Sequence, residues 1–98
     1  PMEKVLEPLP KIVIRDSAVD AICHGANLAA PGVLAVDSGI QPKNSVAVIT
    51  QKGEAVALAQ ALVTTEVMLQ SNRGLVAKTS RVLMPRGAYP KMWHKTNH

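Results

Sequence analysis

The apolar residues of this chain fall into short, β-branched segments that end at turn-forming residues. The segments are KIVIR (11–15), GVLAVDSGI (32–40), SVAVITQKG (45–53) and GLVAKTSRVLMP (74–85). Short runs of this kind between Gly, Pro, Asn and Asp are typical of strands. Because the whole chain has 98 residues, these strands are expected to share the core of a single domain.

Residues 16–25, DSAVDAICHG, predict a short helix. Its apolar residues, together with the alanine that follows, recur at the spacing of one helical face: Val19, Ile22, Cys23 and Ala26. Ser17 and Asp20, three positions apart, resemble a capping box at the start of the helix. Gly25 is suited to a left-handed stop at its end.

Residues 54–63, EAVALAQALV, fit two kinds of secondary structure. Alanine, leucine, glutamine and glutamate are strong helix formers. However, the larger residues also alternate with alanines, as in a strand. Thr64, Thr65 and Glu66 offer a separate helix start before EVMLQSN, so a strand followed by a helix is the better topology.

The composition limits the chemistry that the chain can support. Its one cysteine, Cys23, cannot form an internal disulfide and is expected to be a small buried side chain. No apolar run approaches the ~20 residues of a membrane span. The histidines show no spacing of metal ligands, so no metal and no cofactor are predicted: His24, His94 and His98. Asp16, Ser17 and His24 could suggest a hydrolase, but a serine that caps a helix is far commoner.

The net positive charge of the chain comes from its last third. Residues 1–66 carry five basic groups and all seven acids, whereas residues 67–98 carry no acid. The basic residues of that part are Arg73, Lys78, Arg81, Arg86, Lys91 and Lys95. This asymmetry indicates a polyanionic partner; the alternative is a solvated basic tail on a protein-interaction domain.

The stretch from Gly25 to Gly32 is small and apolar at once, with Leu28 as its one bulky apolar residue. Such residues can let a helix pack closely on a strand. They can also leave the main chain accessible to a ligand. The residues alone leave both interpretations open.

Three stretches together resemble the C-terminal PUA domain of the dyskerin family, the pseudouridine synthases of box H/ACA ribonucleoproteins. They are KIVIRDSAVDAICHGANLAAPGVL, VAVITQKGEAVALAQALVTT and GLVAKTSRVLMPRGAYPKMW. The resemblance implies a mainly β fold with two short helices (α+β), a PUA-type mixed-strand pseudobarrel over residues 11–93. It makes residues 54–63 a strand and places the second helix near 64–71. Residues 1–10 would be the linker from an upstream catalytic domain, and residues 94–98 a tail.

The resemblance also implies a function. The module would anchor the lower stem and 3′ ACA of a box H/ACA guide RNA for rRNA pseudouridylation and ribosome biogenesis. It would not be an enzyme by itself, since the family's catalytic aspartate lies upstream. The implied partners are the guide RNA, the upstream catalytic domain and the other H/ACA proteins, with no membrane. The location would be the nucleolus of a eukaryote or the cytoplasm of an archaeon. A PUA module of another RNA-modification or translation protein is the alternative.

The candidate RNA-binding residues follow from the resemblance and the charge. They are Arg15, His24, Gly25, Ala26, Asn27, Ala30, Pro31, Gly32, Arg81, Arg86 and Lys91. Residues 26–32 would offer main-chain N–H groups to RNA sugar and phosphate, with the arginines and lysine as counter-charge. Lys78 and Arg81 cannot share a face of a regular strand, so at most one of them is expected at a given patch. Arg81 is preferred because it precedes the apolar residues VLM.

Overall fold

The computed structural model describes residues 9–85, which form six strands, two helices and one 3₁₀ turn. In chain order these are β1 (Lys11–Ile14), α1 (Asp16–Cys23), β2 (Leu28–Ala29), the 3₁₀ turn (Ala30–Gly32), β3 (Val33–Val36), β4 (Ser45–Ile49), β5 (Ala55–Ala61), α2 (Thr65–Gln70) and β6 (Leu75–Val82). All the strands belong to one sheet in the order β2-β6-β5-β4-β1-β3. Among these described strands β1 and β4 pair in parallel and the other neighbours are antiparallel. The mainly β, mixed-strand pseudobarrel with two short helices is confirmed.

The core lies between α1 and the concave side of this sheet. Alternate strand residues point into it, as the period of a strand requires. The fully buried side chains include Ile12 and Ile14 of β1, Val46 and Val48 of β4, and Val19 of α1. Helix α1 packs against β5 and β6, where the buried residues of β5 include Ala57, Ala59 and Ala61. These small side chains let the helix axis approach the sheet closely.

The segment 54–63 is a strand, β5, followed by helix α2 after a short connection. The predicted helix start is also confirmed, because the Thr64 side chain accepts a hydrogen bond from the Val67 N–H at 3.3 Å. The alanines face the core, whereas Gln60 and Leu62 are exposed. Helical propensity is therefore overridden by the packing of α1 on the alanine face.

The capping box predicted at Ser17 is wrong. Helix α1 begins at Asp16, and its N-cap residue is Arg15, whose side chain makes no capping hydrogen bond. Ser17 is exposed within the first turn. The helix starts earlier because the Arg15 carbonyl already accepts the Ala18 N–H at 2.9 Å, directly after β1 ends. The stop at Gly25 is confirmed by its φ of +91°.

Within residues 9–85, no helix is long and apolar enough to cross a membrane.

Thr65 connects α2 to the loop after β3. Its hydroxyl donates to the Asp37 carbonyl at 2.7 Å and accepts from the Ile40 N–H at 3.0 Å. Its own N–H donates to the Ile40 carbonyl at 3.2 Å. Because Thr65 is buried, with 4% of its surface exposed, these partners have no ready substitute in water.

We expect Thr65→Val to lower the free energy of unfolding by about 1–3 kcal/mol, because it keeps the shape but leaves the Ile40 N–H and Asp37 carbonyl unpaired. Urea denaturation measures the change. Ser38→Ala, at an exposed position in the same loop, is the control and should shift stability by less than about 0.5 kcal/mol. Equal stability of Thr65→Val and the wild type would contradict this role.

Candidate nucleic-acid interface

Arg15 joins the end of β1 to the 3₁₀ turn. Its main-chain N–H donates to the Gly32 carbonyl at 2.8 Å, and its Nε donates to the Pro31 carbonyl at 2.8 Å. The side chain is exposed. A guanidinium has five N–H donors, and within residues 9–85 the four on its terminal nitrogens make no hydrogen bond. Arg15 therefore holds the turn and still presents a fork of donors to solvent.

An open pocket of about 460 Å³ lies beside this turn. Its lining residues come from two parts of the chain: Arg15, Ala30, Pro31 and Val33 on one side, and Met68, Leu69, Ser71 and Asn72 on the other. The volume is in the range of small-molecule sites, and the pocket surface is divided about equally between polar and apolar atoms. The pocket can thus hold a flat ring against apolar side chains while Arg15 meets an anionic group.

Three of the eight lining residues were candidates from the sequence. Arg15, Ala30 and Pro31 were candidate residues, and the structure brings them to one pocket. Met68, Leu69, Ser71 and Asn72 were missed because they carry no charge and are far from the first group in sequence. The one signal available was the end of the predicted second helix near residue 71, since helix ends often border binding sites.

The segment 24–32 serves both packing and exposure. His24, Gly25, Ala26, Asn27 and Pro31 are exposed. In contrast, Leu28 and Ala30 are buried, with 2% and 5% of their surfaces exposed. The buried residues of the segment therefore serve packing, whereas the exposed residues are accessible to a ligand.

The main chain of this segment is largely occupied. The N–H groups of Gly25, Ala26 and Ala30 donate to the carbonyls of Ile22, Ala21 and Gly74 at 2.8, 3.0 and 2.8 Å. The expectation that these N–H groups are available to RNA is therefore wrong for those three residues. Any contact that RNA makes with them has to involve their carbonyls, Cα or Cβ atoms.

Thr79 of β6 holds the exposed part of the segment against the sheet. Its N–H donates to Asn27 Oδ1 at 3.0 Å, and its hydroxyl donates to the Ala26 carbonyl at 2.7 Å. Because a main-chain N–H can only donate, the Asn27 oxygen must face Thr79. The Asn27 amide nitrogen has no hydrogen-bond partner within residues 9–85. It is a free donor at the surface.

His24 ends helix α1. Its Nδ1 lies 2.8 Å from the Asp20 carbonyl and 3.7 Å from Asp20 Oδ2. Since a carbonyl only accepts, Nδ1 carries a proton in this hydrogen bond, and Nε2 has no hydrogen-bond partner among residues 9–85. His24 thus hydrogen-bonds back to the last turn of the helix. Its contact with RNA stays a prediction.

Cys23 is buried at the end of the apolar face of α1, with 4% of its surface exposed. Burial, and secondly the negative charge of Asp20, raise the pKa of the Cys23 thiol. The prediction of a small buried side chain is confirmed. Within residues 9–85, no group of three or more His, Cys, Asp or Glu could hold a metal ion.

The raised pKa of Cys23 predicts a loss of stability at alkaline pH. The contribution of the neutral buried thiol is fully present below the pKa of the unfolded chain. It is lost as pH rises toward the higher pKa of the folded chain, because only the unfolded thiol ionises there. Urea denaturation at increasing pH should show a steeper decline for the wild type than for Cys23→Ala. Parallel declines would contradict the prediction.

Among the remaining basic candidates, only Arg81 lies within residues 9–85. Arg81 lies on β6 and does not line it. The expectation that Lys78 and Arg81 lie on different faces assumed a regular strand. It is wrong because β6 contains a register shift between these residues. Arg86 and Lys91 lie outside the described residues.

The PUA domain family model matches residues 10–83, which is most of the chain. The chain belongs to the PUA domain family.

Relatives of this PUA domain are parts of longer proteins. The probable tRNA pseudouridine synthase B of Methanopyrus kandleri is 61% identical over 93 residues, which make up 95% of this chain and 28% of that protein. A chain in an H/ACA RNP bound to a substrate RNA containing 2′-deoxyuridine has a TM-score of 0.92 and 47% identity, over 95% of this chain and 29% of that chain. A chain in the archaeal box H/ACA sRNP Nop10–Cbf5 complex has a TM-score of 0.91 and 47% identity, and the match covers 95% of this chain and 30% of that chain.

These comparisons confirm the resemblance to the dyskerin family, to which Cbf5 belongs. The chain spans less than a third of the length of these relatives. The PUA domain fills residues 10–83, and the rest of these 98 residues is too short for the catalytic domain of a synthase.

Gly32 of the PUA domain is required for close packing. It does not adopt a positive φ, but an added Cβ would lie 3.1 Å from Ala18 Cβ and 3.3 Å from Leu28 Cδ1. A larger side chain at this position therefore strains the packing against Ala18 and Leu28. The effect of Gly32→Val on RNA binding has to be separated from its effect on stability.

We expect Gly32→Val to lower the free energy of unfolding by about 1–3 kcal/mol through overpacking against α1. Because Ala18 Cβ is the nearest atom, the same change should cost less in an Ala18→Gly background. A double-mutant cycle by urea denaturation measures this coupling. Equal costs in both backgrounds would show that Ala18 is not the obstacle.

Proposed function

We propose that this PUA domain anchors the lower stem and 3′ ACA of a box H/ACA guide RNA within a dyskerin-type pseudouridine synthase, for rRNA pseudouridylation. The observation that carries the proposal is the pocket between the 3₁₀ turn and the end of α2. The partners would be the guide RNA, the catalytic domain of the same synthase and the other H/ACA proteins. The relatives support this assignment, because they include chains of H/ACA RNP structures.

The pocket has the chemistry of a site for an unpaired nucleotide. Sequence-specific RNA recognition mostly uses single-stranded bases, which are stacked and read at their edges. Pro31, Met68 and Leu69 supply apolar surface for a base, and Ser71 and Asn72 supply polar groups for its edge. The free donors of Arg15 suit the adjoining phosphate. This division of roles favours a short single-stranded element such as ACA over a duplex.

The exposed loop at residues 24–27 extends the proposed site. His24 Nε2 and the Asn27 amide nitrogen are polar groups without internal partners in the described part of the chain. The segment carries no side chain larger than these at its surface, so the sugar–phosphate backbone can approach closely. Arg86 and Lys91 are proposed as additional contacts to phosphate.

The relatives support a proposal for the cellular setting. The compared synthase comes from an archaeon, and we propose an archaeal cytoplasmic ribonucleoprotein as the setting. In a eukaryotic host the same function would place the protein in the nucleolus.

We expect the chain to prefer a hairpin followed by a 3′ ACA over the same hairpin followed by UGU. Asn72→Ala should reduce this preference roughly 2- to 10-fold, the equivalent of one hydrogen bond, because its amide is proposed to read a base edge. Fluorescence anisotropy with both RNAs measures it. Gln51→Ala, which removes an exposed amide in the turn after β4, is the matched control and should leave the preference unchanged.

Equal affinity for the two 3′ ends would contradict anchoring of ACA and favour a PUA module of another RNA-modification or translation protein. Absence of RNA binding would favour the third alternative, a protein-interaction domain with an incidental basic tail.

A further inference from the structure

Strand β6 contains a β-bulge between its two basic residues. Gln60 of β5 pairs with Lys78, and Ala59 pairs with Thr79, but Leu58 pairs with Arg81. Ser80 is therefore the extra residue, since one step along β5 corresponds to two steps along β6. A bulge of this kind re-aims the side chains that follow it.

The bulge turns Lys78 and Arg81 to the same face of the sheet. Residues directly opposite each other in an antiparallel pair point to the same face. Gln60 and Leu58 are two positions apart on β5 and share a face as well, about 7 Å apart along the strand. Their partners Lys78 and Arg81 therefore lie side by side on that face.

This face is the outer surface of the sheet. Ala57 and Ala59, which alternate with Leu58 and Gln60 along β5, are buried toward the core. In contrast, Lys78, Arg81 and Gln60 are exposed and Leu58 is half-buried. On the far side of Gln60 the next partner is Ser45 of β4, which is also exposed. The pair thus stands on an exposed, largely polar part of the outer surface of the sheet.

The two charges are uncompensated within the described structure. Among residues 9–85, neither side chain makes a hydrogen bond or an ion pair. Strands β5 and β6 carry no Asp or Glu. Two adjacent cations without an acidic partner repel each other, and a phosphate backbone relieves this repulsion by neutralising both.

We propose that Lys78 and Arg81 form a second RNA contact, which binds neighbouring phosphates of the RNA backbone. It is separate from the pocket, none of whose lining residues belongs to β5 or β6. The inference rests on the proposed function, because it takes RNA as the ligand. In this proposal Lys78 and Arg81 increase the affinity for any RNA, because phosphate contacts carry no sequence information directly. The pocket determines which bases are preferred.

The test is the salt dependence of RNA binding. Each phosphate contact contributes about 0.7 to 0.9 to the slope of log affinity against log salt. We expect Lys78→Gln and Arg81→Gln each to reduce the slope by about that amount, and the double variant by about 1.4–1.8. The hairpins ending in ACA and UGU should lose affinity equally. Lys52→Gln, which removes an exposed cation in the turn after β4, is the control and should keep the wild-type slope.

The outcomes separate this inference from the proposed function. If one or neither of the two residues changes the slope while the wild type prefers ACA, the paired contact is wrong and the anchoring of ACA stands. If both change the slope but ACA is not preferred, the pair is supported and the anchoring fails. A wild type that binds neither RNA overturns both. Unchanged melting temperatures of the variants establish that the losses do not come from unfolding.

Discussion

The close approach of helix α1 to the sheet determines most of this structure. Ala57, Ala59 and Ala61 of β5 are buried, and a helix can rest on alanines at a distance that larger side chains would not allow. The same helix meets the 3₁₀ turn through Ala18 and Gly32, where a further carbon would lie only 3.1 Å from Ala18 Cβ. The small residues between Gly25 and Gly32 therefore complete the packing of α1 and, in doing so, bring the turn back to Arg15.

The pocket forms because the 3₁₀ turn, held beside Arg15, lies opposite the end of α2. The turn is held by the two hydrogen bonds from Arg15, and α2 is held in place opposite by the buried Thr65 hydroxyl. Neither wall depends on a bound ligand for its position. A site with walls fixed in this way loses little conformational entropy when it binds a nucleotide.

The sequence predicts the strands well because β-branched residues and turn formers act locally. Propensity and periodicity leave 54–63 undecided, because the decisive fact is the presence of α1 on the alanine side, which is a long-range contact. The separate helix start at residues 64–66 and the resemblance to a known family favour the strand. The capping box at Ser17 fails for a related reason: β1 ends at Ile14, so the helix begins before the serine.

The residues of the candidate site were likewise only partly predictable from the sequence. Arg15, Ala30 and Pro31 are recognisable by charge, by small size and by position in the matching motif. Met68, Leu69, Ser71 and Asn72 resemble any helix end, and only the fold places them opposite. The bulge at Ser80 has no local signature either, because glycine, the residue that most often marks one, is absent from Leu75–Val82. Which side chains share a face of β6 is thus decided by pairing with β5.

The contacts of Thr79 limit which sequences this strand can accept. Valine fits a strand at least as well as threonine does, and its main-chain N–H would still reach the Asn27 side chain. It would nevertheless leave the Ala26 carbonyl without the hydroxyl that now donates to it. Serine would keep both hydrogen bonds and lose only a methyl group. Natural variation at this position should therefore follow the hydroxyl group and not strand propensity.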